Sequence, residues 1–461
     1  MRTDRHIAAD RLRRSLARQP VQRASDLAAE IGVSVPTLHR MLQQLEPQVF
    51  AAGKARRARY ALRRPLRGDA RDFPLYAIDE AGTAEQIATL VPVSPEGSWM
   101  LLPASHWPVP DEARDGWWAG LPYPFYDMRP QGYMGRQFAL QEHQQLAVPN
   151  NPEEWDDDDI LYALSQRGSD VSGNLIFGQT AYERWLQTKV TPPLLVSETT
   201  VGVAYTALAT KAVNSGIAGS SAAGEFPKFA ASRELAGMAT PHVLVKFSGA
   251  DGSTAVRRWA DLLICEHLAM GCARLIPGVE SARSRIVQDS GRTFLELERF
   301  DRHGQFGRSP LCCLSTLNAA FLGDNSTDWV KLSGRLGTLD LLSQNELEQV
   351  RRIWWFGKLI GNTDMHLGNL SFRMGSSLSL APIYDMLPML YAPLAGGEVP
   401  VREFGKPLPL PLPPQRADWM VACKAALSFW EQAAQDLRIS GDFRDICAAN
   451  RQQIQAWRSL A

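Results

Sequence analysis

The chain has 461 residues, of which 45% are hydrophobic and 21% charged. At about 150 residues per domain this length is enough for two to four domains, and the composition excludes wholesale disorder. Lys plus Arg and Asp plus Glu number 49 each, but residues 1–68 hold 15 basic and five acidic residues, so the first segment is basic and the remainder acidic. This asymmetry indicates a nucleic-acid-binding segment attached to a domain of another kind.

The cysteines and histidines do not form a recognisable zinc-binding pattern. The six cysteines include no C-x2-C pair, and the eight histidines include no H-x3-H pair, which argues against a structural zinc site. The N-terminus carries charges and lacks an apolar h-region, and Asp385 and several prolines interrupt the most apolar later stretch, residues 378–396. We therefore expect a cytoplasmic protein without a membrane span.

Residues 1–68 predict three helices and a β-hairpin. Gly32 supplies a left-handed stop after the second helix, and Ser34 with Pro36 begins the third. The order helix, short turn, helix, then a basic hairpin over residues 49–62 is typical of a winged helix-turn-helix DNA-binding domain. A small helical bundle with a solvated basic face is the alternative interpretation.

The side chains that would contact DNA lie away from the apolar face of the third helix and in the turn of the hairpin. They are Thr37, His39, Arg40, Gln43, Gln44, Lys54, Arg56, Arg57 and Arg59.

Residues 69–200 are rich in Trp, Pro and Gly, which predicts short strands and loops. The acidic run 156–159 has two interpretations. It is either a metal-binding cluster or, as we favour, the solvated start of a helix whose acids complement the helix dipole.

Later segments alternate between strand and helix patterns. Strands are predicted at residues 201–208, 242–247 and 294–300, and helices at 256–270, 310–321, 343–360 and 417–437. The proline-rich residues 406–414 predict an extended polyproline spacer, which could alternatively bind an SH3-like partner.

The strongest functional pattern lies in the last third of the chain. Asp364 is followed five residues later by Asn369, and Asp385 ends an apolar run. Phosphoryl transfer needs a carboxylate that takes a proton from the attacking hydroxyl, and oxygen ligands that hold Mg²⁺ against the phosphates. This predicts Asp364 as the catalytic base and Asn369 and Asp385 as metal ligands. A polar turn capped by Asn and Asp is the alternative.

Upstream segments supply the other parts of a phosphotransferase. Lys246 interrupts the apolar strand 242–247, and a lysine there is costly unless it meets an anion. An edge-strand lysine is the alternative. The small-residue loop 219–228 is suited to cradling phosphate oxygens, although a surface loop has the same composition. Residues 296–302 end a strand where a kinase places its hinge, with Phe300 near the adenine.

Taken in order, these segments resemble the HipA family of bacterial serine/threonine kinase toxins over about residues 150–461. The shared elements are the serine loop, the strand lysine, E-R-F-D-R at residues 298–302, D-x-H-x-x-N and Y-D. The stretch from Asp170 to Leu175 resembles the family's G-x-D-x-x-G-x-L segment, and the fused winged helix resembles the YjjJ-type subgroup.

The resemblance implies an α+β architecture in three parts. We expect a winged helix-turn-helix over residues 1–68, a strand-rich N-terminal kinase lobe of mixed α/β structure over 69–300, and a mainly helical C-terminal lobe over 301–461.

The resemblance also implies ATP and Mg²⁺ as cofactors and assigns roles to single residues. Lys246 would reach the phosphates, and Ser221 matches the loop serine that HipA-like kinases phosphorylate on themselves, which ejects the loop and switches the enzyme off. Residues 259–263 in the helix after Lys246 lack the glutamates usual there, so we expect Asp261 as the acidic partner of this lysine. The remaining implied ATP-binding positions are Ala223, Gly224, Glu225, Phe226, Pro227 and Lys228 in the phosphate loop, Glu298, Arg299 and Phe300 in the adenine hinge, and His366 and Tyr384 beside the nucleotide.

The expected partners are double-stranded DNA, bound by a homodimer, a protein substrate with a Ser/Thr acceptor, and a separate helix-turn-helix antitoxin if the system has two parts. Two other functions stay open at this point. One is a DNA-binding regulator with a nucleotide-sensing pseudokinase. The other is a small-molecule phosphotransferase, since aminoglycoside and choline kinases also use D-x-H-x-x-N.

Overall fold

A computed structural model of the chain describes residues 2–19, 21–214, 226–234, 237–406 and 409–460. The first elements form an N-terminal module, residues 2–62, in which three helices pack on a sheet of order β1-β3-β2. Gly32 ends the second helix with φ 74°, and Ser34 precedes the third, as predicted. The elements are α1 (Arg2–Arg18), β1 (Gln22–Arg23), α2 (Ala24–Ile31), α3 (Val35–Gln44), β2 (Val49–Ala52) and β3 (Arg59–Leu62).

The middle region, residues 69–190, is built on a five-stranded sheet of order β7-β6-β5-β4-β8, so the predicted short strands are present. It also contains helices of 15, 11 and 12 residues, which the prediction of strands and loops missed. Its strands pair antiparallel, and an aromatic core that includes Phe73, Phe125 and Phe177 fills the space between sheet and helices. The elements are β4 (Phe73–Ile78), β5 (Ala84–Pro92), β6 (Ser98–Trp99), β7 (Trp117–Trp118), α4 (Gly132–Leu146), α5 (Asp157–Arg167), β8 (Leu175–Phe177) and α6 (Gln179–Val190).

The acidic run begins helix α5, so the helix-start interpretation is confirmed. Asp156 is the N-cap, and its carboxylate accepts a hydrogen bond from the backbone N–H of Asp159 at 2.8 Å. The acids are not simply solvated, however. Asp158 pairs with Arg64 and Asp159 pairs with Arg67. Part of the positive charge of residues 1–68 is therefore neutralised by acidic residues of the middle region.

An aromatic contact adds to this docking of the N-terminal module. The ring of Phe50 lies 5.0 Å from that of Trp99 and 5.9 Å from that of Trp117, both in the middle region. Ala61 and Val93 are buried in the same cluster. The module therefore joins the middle region through apolar packing as well as through ion pairs.

The next part is a four-stranded antiparallel sheet of order β11-β12-β10-β9. On strand β10 (His242–Phe247), the side chains of Val243, Val245 and Phe247 are buried on one face, against helix α7 (Val201–Asn214). Leu244 and Lys246 face the other side of the sheet and line a cavity. The elements are α7 (Val201–Asn214), β9 (Lys228–Ser232), β10 (His242–Phe247), α8 (Thr254–Ala273), β11 (Ser284–Asp289) and β12 (Arg292–Glu298).

The predicted strand at residues 201–208 was wrong, because this segment is the beginning of helix α7. Val201, Tyr205, Ala209 and Ala212 recur at helical spacing and are buried against the sheet. Over only eight residues the same apolar positions also fit a half-buried strand, and tertiary packing decides between the two.

The C-terminal part is mainly helical. Its elements are β13 (Arg302–His303), β14 (Gly307–Arg308), β15 (Leu311–Cys313), α9 (Leu314–Phe321), α10 (Trp329–Thr338), α11 (Gln344–Leu359), β16 (Ser371–Arg373), β17 (Ser379–Leu380), α12 (Arg416–Gln435) and α13 (Gly441–Leu460). The helix predicted over 310–321 begins only at Leu314, because the three preceding residues pair with β16 as a strand. The predicted α+β class is confirmed.

The proline-rich spacer, where the structure describes it from residue 409 onward, lies against α12. The indole N–H of Trp419 donates to the carbonyl of Pro409 at 2.8 Å. Within the described ranges, none of the helices has both the length and the apolar character needed to span a bilayer.

Candidate active site

A cavity of about 460 Å³ opens between the four-stranded sheet, the C-terminal part and the middle region. Lys228, Lys246 and Asp385 line one end. Residues of the predicted hinge line the other end, together with residues from α4 and from α5 and the segment that follows it. The cavity thus joins the predicted phosphate-binding and adenine-binding residues into one continuous space.

Lys246 is the central charged residue of this cavity. Its strand lies between β12 and β9, so the edge-strand alternative was wrong. Its Nζ donates to both carboxylate oxygens of Glu266, at 2.7 and 2.9 Å, and also to Asp385. Lys228 stands directly opposite it on β9. Two lysines and two carboxylates therefore meet where a nucleotide's phosphates are expected.

Glu266 was not predicted from the sequence, and the expectation that Asp261 pairs with Lys246 was wrong. Asp261 instead accepts hydrogen bonds from the backbone N–H of Ser440, at 2.8 Å, and from its hydroxyl, at 2.5 Å. Glu266 lies on the face of α8 that packs under the sheet, where it is fully buried. A glutamate among the buried apolar residues of a helix has the same significance as a lysine in an apolar strand, because each needs a charged partner.

The charges around Lys246 shift the pKa of both carboxyl groups. Burial raises the pKa of Glu266 to about 7, although Lys246 opposes this. Burial also disfavours the charged form of Asp385, but Lys246 and Lys228 outweigh it and hold its pKa at about 2. Asp385 therefore stays ionised at neutral pH, as a metal-binding carboxylate must.

One buried side chain connects the predicted catalytic loop to Asp385. The amide oxygen of Asn362 accepts from the backbone N–H of Asp364 at 3.0 Å, and its amide nitrogen donates to the carbonyl of Asp385 at 3.2 Å. The amide nitrogen of Asn369 donates to the carbonyl of Asp364 at 2.9 Å. The structure thus brings together the three residues predicted as base and metal ligands.

Asn362 was not singled out from the sequence. It is 3% exposed and follows Gly361, which has φ 73°. The sequence did contain a signal for this role, because Asn362 directly follows a glycine that ends a helix and lies two residues before the predicted base.

Asp385 has an unusual backbone conformation, with φ 53°. A non-glycine residue in the left-handed region costs of order 1 kcal/mol and is maintained only by its surroundings. Here the Asn362 bond to its carbonyl and the Lys246 bond to its side chain supply that support. The left-handed backbone of Asp385 and these two bonds together set the direction in which its carboxylate points.

The predicted hinge lies at the end of β12. The backbone N–H of Glu298 donates to the carbonyl of Arg283 at 2.9 Å, and the Glu298 carboxylate accepts from the N–H of Ala239 at 2.9 Å. The ring of Phe300 stacks on that of Tyr384, with centroids 5.8 Å apart. Tyr384 also donates to the carbonyl of Gly368 at 2.6 Å, which ties the hinge to the catalytic loop.

The remaining predicted ATP-binding residues fall into three groups. Phe226 is buried 5.7 Å from the Lys246 ammonium, and the carbonyl of Pro227 accepts from the N–H of Phe247 at 3.1 Å. His366 is exposed and caps a short turn through a 3.1 Å bond from the N–H of Gly368. The predicted ATP-binding residues Ala223, Gly224 and Glu225 fall outside the described ranges, as does Ser221, the predicted autophosphorylation site.

The predicted DNA-contacting residues differ in their availability. Arg59 is half-buried and pairs with Asp115 of the middle region at 3.4 Å, so it is engaged within the protein. Thr37 bonds Ser34 at 2.9 Å, and His39 contacts Tyr60 at 3.5 Å. His39 is nevertheless exposed to solvent. The other exposed residues are Arg40, Gln43 and Gln44 of α3 and Lys54, Arg56 and Arg57 between β2 and β3.

Sequence comparison identifies relatives along most of the chain. Residues 220–456 match the model of the HipA-like C-terminal domain, and residues 69–186 match the model of the middle domain of YjjJ-like toxins. The chain is 34% identical over 434 residues to Toxin YjjJ of Escherichia coli (strain K12), which covers 94% of each protein.

Structure comparison finds more distant similarities. One is to HipA in the complex of Shewanella oneidensis MR-1 HipA, HipB and operator DNA, with a TM-score of 0.47, 15% identity, and coverage of 84% of this chain and 96% of that one. Another is to the Helicobacter pylori proinflammatory kinase CtkA, with a TM-score of 0.35, 13% identity, and coverage of 51% and 90%.

Proposed function

The chain belongs to the HipA-like toxin family, and from this premise we propose that it is an ATP- and Mg²⁺-dependent protein serine/threonine kinase. The observation that carries the proposal is the arrangement of Lys246, which donates to the buried Glu266 and to Asp385. A buried lysine held by a helix glutamate, next to an aspartate at the end of the catalytic segment, is the arrangement that phosphoryl transfer requires in protein kinases.

The proposed chemistry assigns a separate task to each side chain. Glu266 fixes the ammonium of Lys246 so that it faces the phosphates. Asp364 is exposed, so it can orient the acceptor hydroxyl and take its proton as the new phosphoester bond forms. The bond from phosphorus to the β–γ bridging oxygen breaks, and ADP leaves with that oxygen.

The metal ligands in the proposal are Asn369 and Asp385, and their donor atoms fit Mg²⁺. The amide nitrogen of Asn369 is used in the bond to Asp364, which leaves its oxygen as the atom suited to a hard cation. Asp385 contributes an ionised carboxylate whose side chain is 28% exposed at the cavity. Bound Mg²⁺ would neutralise the phosphate charge as it develops.

We also propose the regulatory parts that the family resemblance implies. Ser221 is the proposed autophosphorylation site, and the protein acceptor carries a serine or threonine. The N-terminal module is proposed to bind double-stranded DNA as part of a homodimer. Exposed Arg40 on α3 and Arg57 in the hairpin supply charge on one module, as phosphate contacts require. A helix-turn-helix antitoxin is a further proposed partner.

Expression of wild type and Asp364→Asn in matched cells, followed by growth measurement and phosphoproteomics, tests this proposal. We expect growth arrest and new phosphoserine or phosphothreonine sites with the wild type only. Equal arrest by both proteins without new phosphosites would favour a DNA-binding regulator with a pseudokinase. Phosphate transfer to a small alcohol or aminoglycoside, with none to protein, would favour the small-molecule phosphotransferase.

A further inference from the structure

Asp170 connects the middle region to the hinge. It follows helix α5, and its Oδ1 accepts hydrogen bonds from Nη1 of Arg299 at 3.0 Å and from Nη2 of Arg302 at 2.8 Å. Asp301 completes the cluster by accepting from Arg299 at 2.9 Å and from the N–H of Gly173 at 2.9 Å. The E-R-F-D-R motif and the D-x-x-G-x-L motif are therefore two halves of one ion-pair cluster.

The second carboxylate oxygen of Asp170 is in a different situation. Both arginines bind Oδ1, and for Oδ2 no donor occurs among the residues that the structure describes. The side chain is 55% exposed, and Asp170 is one of the residues that line the cavity. Partial desolvation by the surrounding protein disfavours its charged form, but Arg299, Arg302 and Arg308 outweigh this and hold the pKa of Asp170 well below its usual range. A permanent acceptor therefore faces the cavity.

The charges of the cavity set the direction in which a nucleotide binds. Lys228 and Lys246 stand at one end and Asp170 at the other, beside the hinge. Phosphates are attracted to the lysines, whereas the nearby Arg299 and Arg302 are already paired with Asp170 and Asp301. The uncharged nucleoside is therefore directed toward the hinge and Asp170. The acceptor substrate must instead reach Asp364, which is not among the described residues that line this cavity.

We propose that Asp170 is a specificity-determining residue for the nucleoside, because its Oδ2 accepts a hydrogen bond from a ribose hydroxyl or from the amino group of the base. This inference rests on the proposed kinase function and adds the middle region to the nucleotide site. The same residue holds the hinge through Oδ1, so recognition and hinge position are coupled in one side chain.

Nucleotide analogues that lack one donor each provide the test. The probes are ATP, 2′-deoxy-ATP, 3′-deoxy-ATP and the purine ribonucleoside triphosphate without the 6-amino group, measured as competitors of a fluorescent ATP analogue. A site built around a donor rejects the analogue that lacks it, because the bound nucleotide excludes water from the acceptor and leaves it unpaired. The full-length wild type is compared with Asp170→Asn, Asp170→Ala and the neighbouring control Ser169→Ala.

The readout is the ratio of each analogue's Kd to the Kd of ATP within the same protein, which cancels a general loss of hinge structure. We expect wild type and Ser169→Ala to bind one analogue at least about tenfold more weakly than ATP. In both Asp170 variants, the Kd of every analogue should lie within about threefold of the Kd of ATP. Equal binding of all analogues by wild type, or discrimination that persists in the Asp170 variants, would overturn the inference. Failure of wild type to bind any nucleotide would contradict the proposed function itself.

Discussion

Lys246 donates hydrogen bonds to both carboxylate oxygens of Glu266, at 2.7 and 2.9 Å. The lysine is 5% exposed and the glutamate is fully buried. Neither charge is tolerated alone at such a position, so the pair is a single unit in which each residue requires the other. Lys246 also pairs with Asp385, whose side chain is partly exposed at the cavity. Asp385 is therefore the carboxylate suited to binding a metal ion in place of the Lys246 ammonium.

Loss of one partner of this pair destabilises the protein. Glu266→Gln leaves the buried ammonium with Asp385 as its remaining counter-charge, so we expect the free energy of unfolding to fall by about 1–3 kcal/mol, as for the loss of a charged hydrogen bond. The double variant Glu266→Leu with Lys246→Met replaces both charges by apolar groups, so it regains stability but binds ATP poorly. Chemical denaturation and ATP binding measure the two effects. The control is Glu280→Gln, whose side chain is 70% exposed. Equal stability of Glu266→Gln and wild type would contradict this account of the pair.

The same pair predicts a pH dependence of nucleotide binding. Because burial raises the pKa of Glu266 to about 7, lowering the pH below this value protonates the carboxylate and weakens its hold on Lys246. ATP affinity should therefore fall as the pH decreases from about 8 to 6, and calorimetric titration over this range measures it. Glu266→Gln has no such group, so its already weaker binding should be flat over the same range. An equally steep profile in that variant would assign the titration to another residue.

Asn362 is expected to act on catalysis through the residues it positions. Asn362→Ala removes the bonds to Asp364 and to Asp385 without removing a predicted ATP contact. Displacement of reacting groups by about 1 Å costs on the order of 100-fold in rate, so kcat should fall by about 10- to 100-fold while the KM for ATP changes little. The adjacent, exposed Thr363 supplies the control Thr363→Ala. A rise in KM with unchanged kcat would show that Asn362 acts on binding instead.

The arginines of the N-terminal module predict a contrast in DNA binding. Arg57 is exposed between β2 and β3, whereas Arg59 pairs with Asp115. Loss of a phosphate contact weakens binding to all sequences and reduces the slope of log K against log salt by about 1. We expect this result for Arg57→Ala and a slope close to that of wild type for Arg59→Ala, in fluorescence-anisotropy titrations with duplex DNA. The opposite order would contradict the proposed DNA-contacting surface.

The local parts of the fold could be predicted from the sequence, because capping residues and apolar periodicity act over a few residues. Gly32 and Ser34 place the second and third helices correctly, and the alternation around Lys246 predicts which face of β10 is buried. The strand prediction for residues 201–208 was wrong because the apolar positions of eight residues fit both a strand and a helix, and packing on the sheet selects the helix. The HipA-like architecture expected from the motifs agrees with the family match over residues 220–456.

The sequence motif predicted Asp364, Asn369 and Asp385 as one group, and hydrogen bonds link the three segments, while their roles as base and metal ligands stay predictions. The candidate site was not predictable where the partner comes from a distant segment. Glu266 reaches Lys246 from a helix 20 residues further along the chain, and Asp170 reaches Arg299 across 129 residues. Such pairings are set by the packing of whole elements, which a linear pattern does not encode.

The proposed kinase activity is tested most directly by incorporation of γ-labelled phosphate from ATP, in the presence of Mg²⁺, by the purified full-length protein. We expect label on serine or threonine in the wild type, with Ser221 among the sites, and a decrease in incorporated label of about 100-fold or more in Asp364→Asn. A wild type that binds ATP but transfers no label to itself or to a protein acceptor, or an Asp364→Asn variant that incorporates as much label as wild type, would contradict the proposed activity.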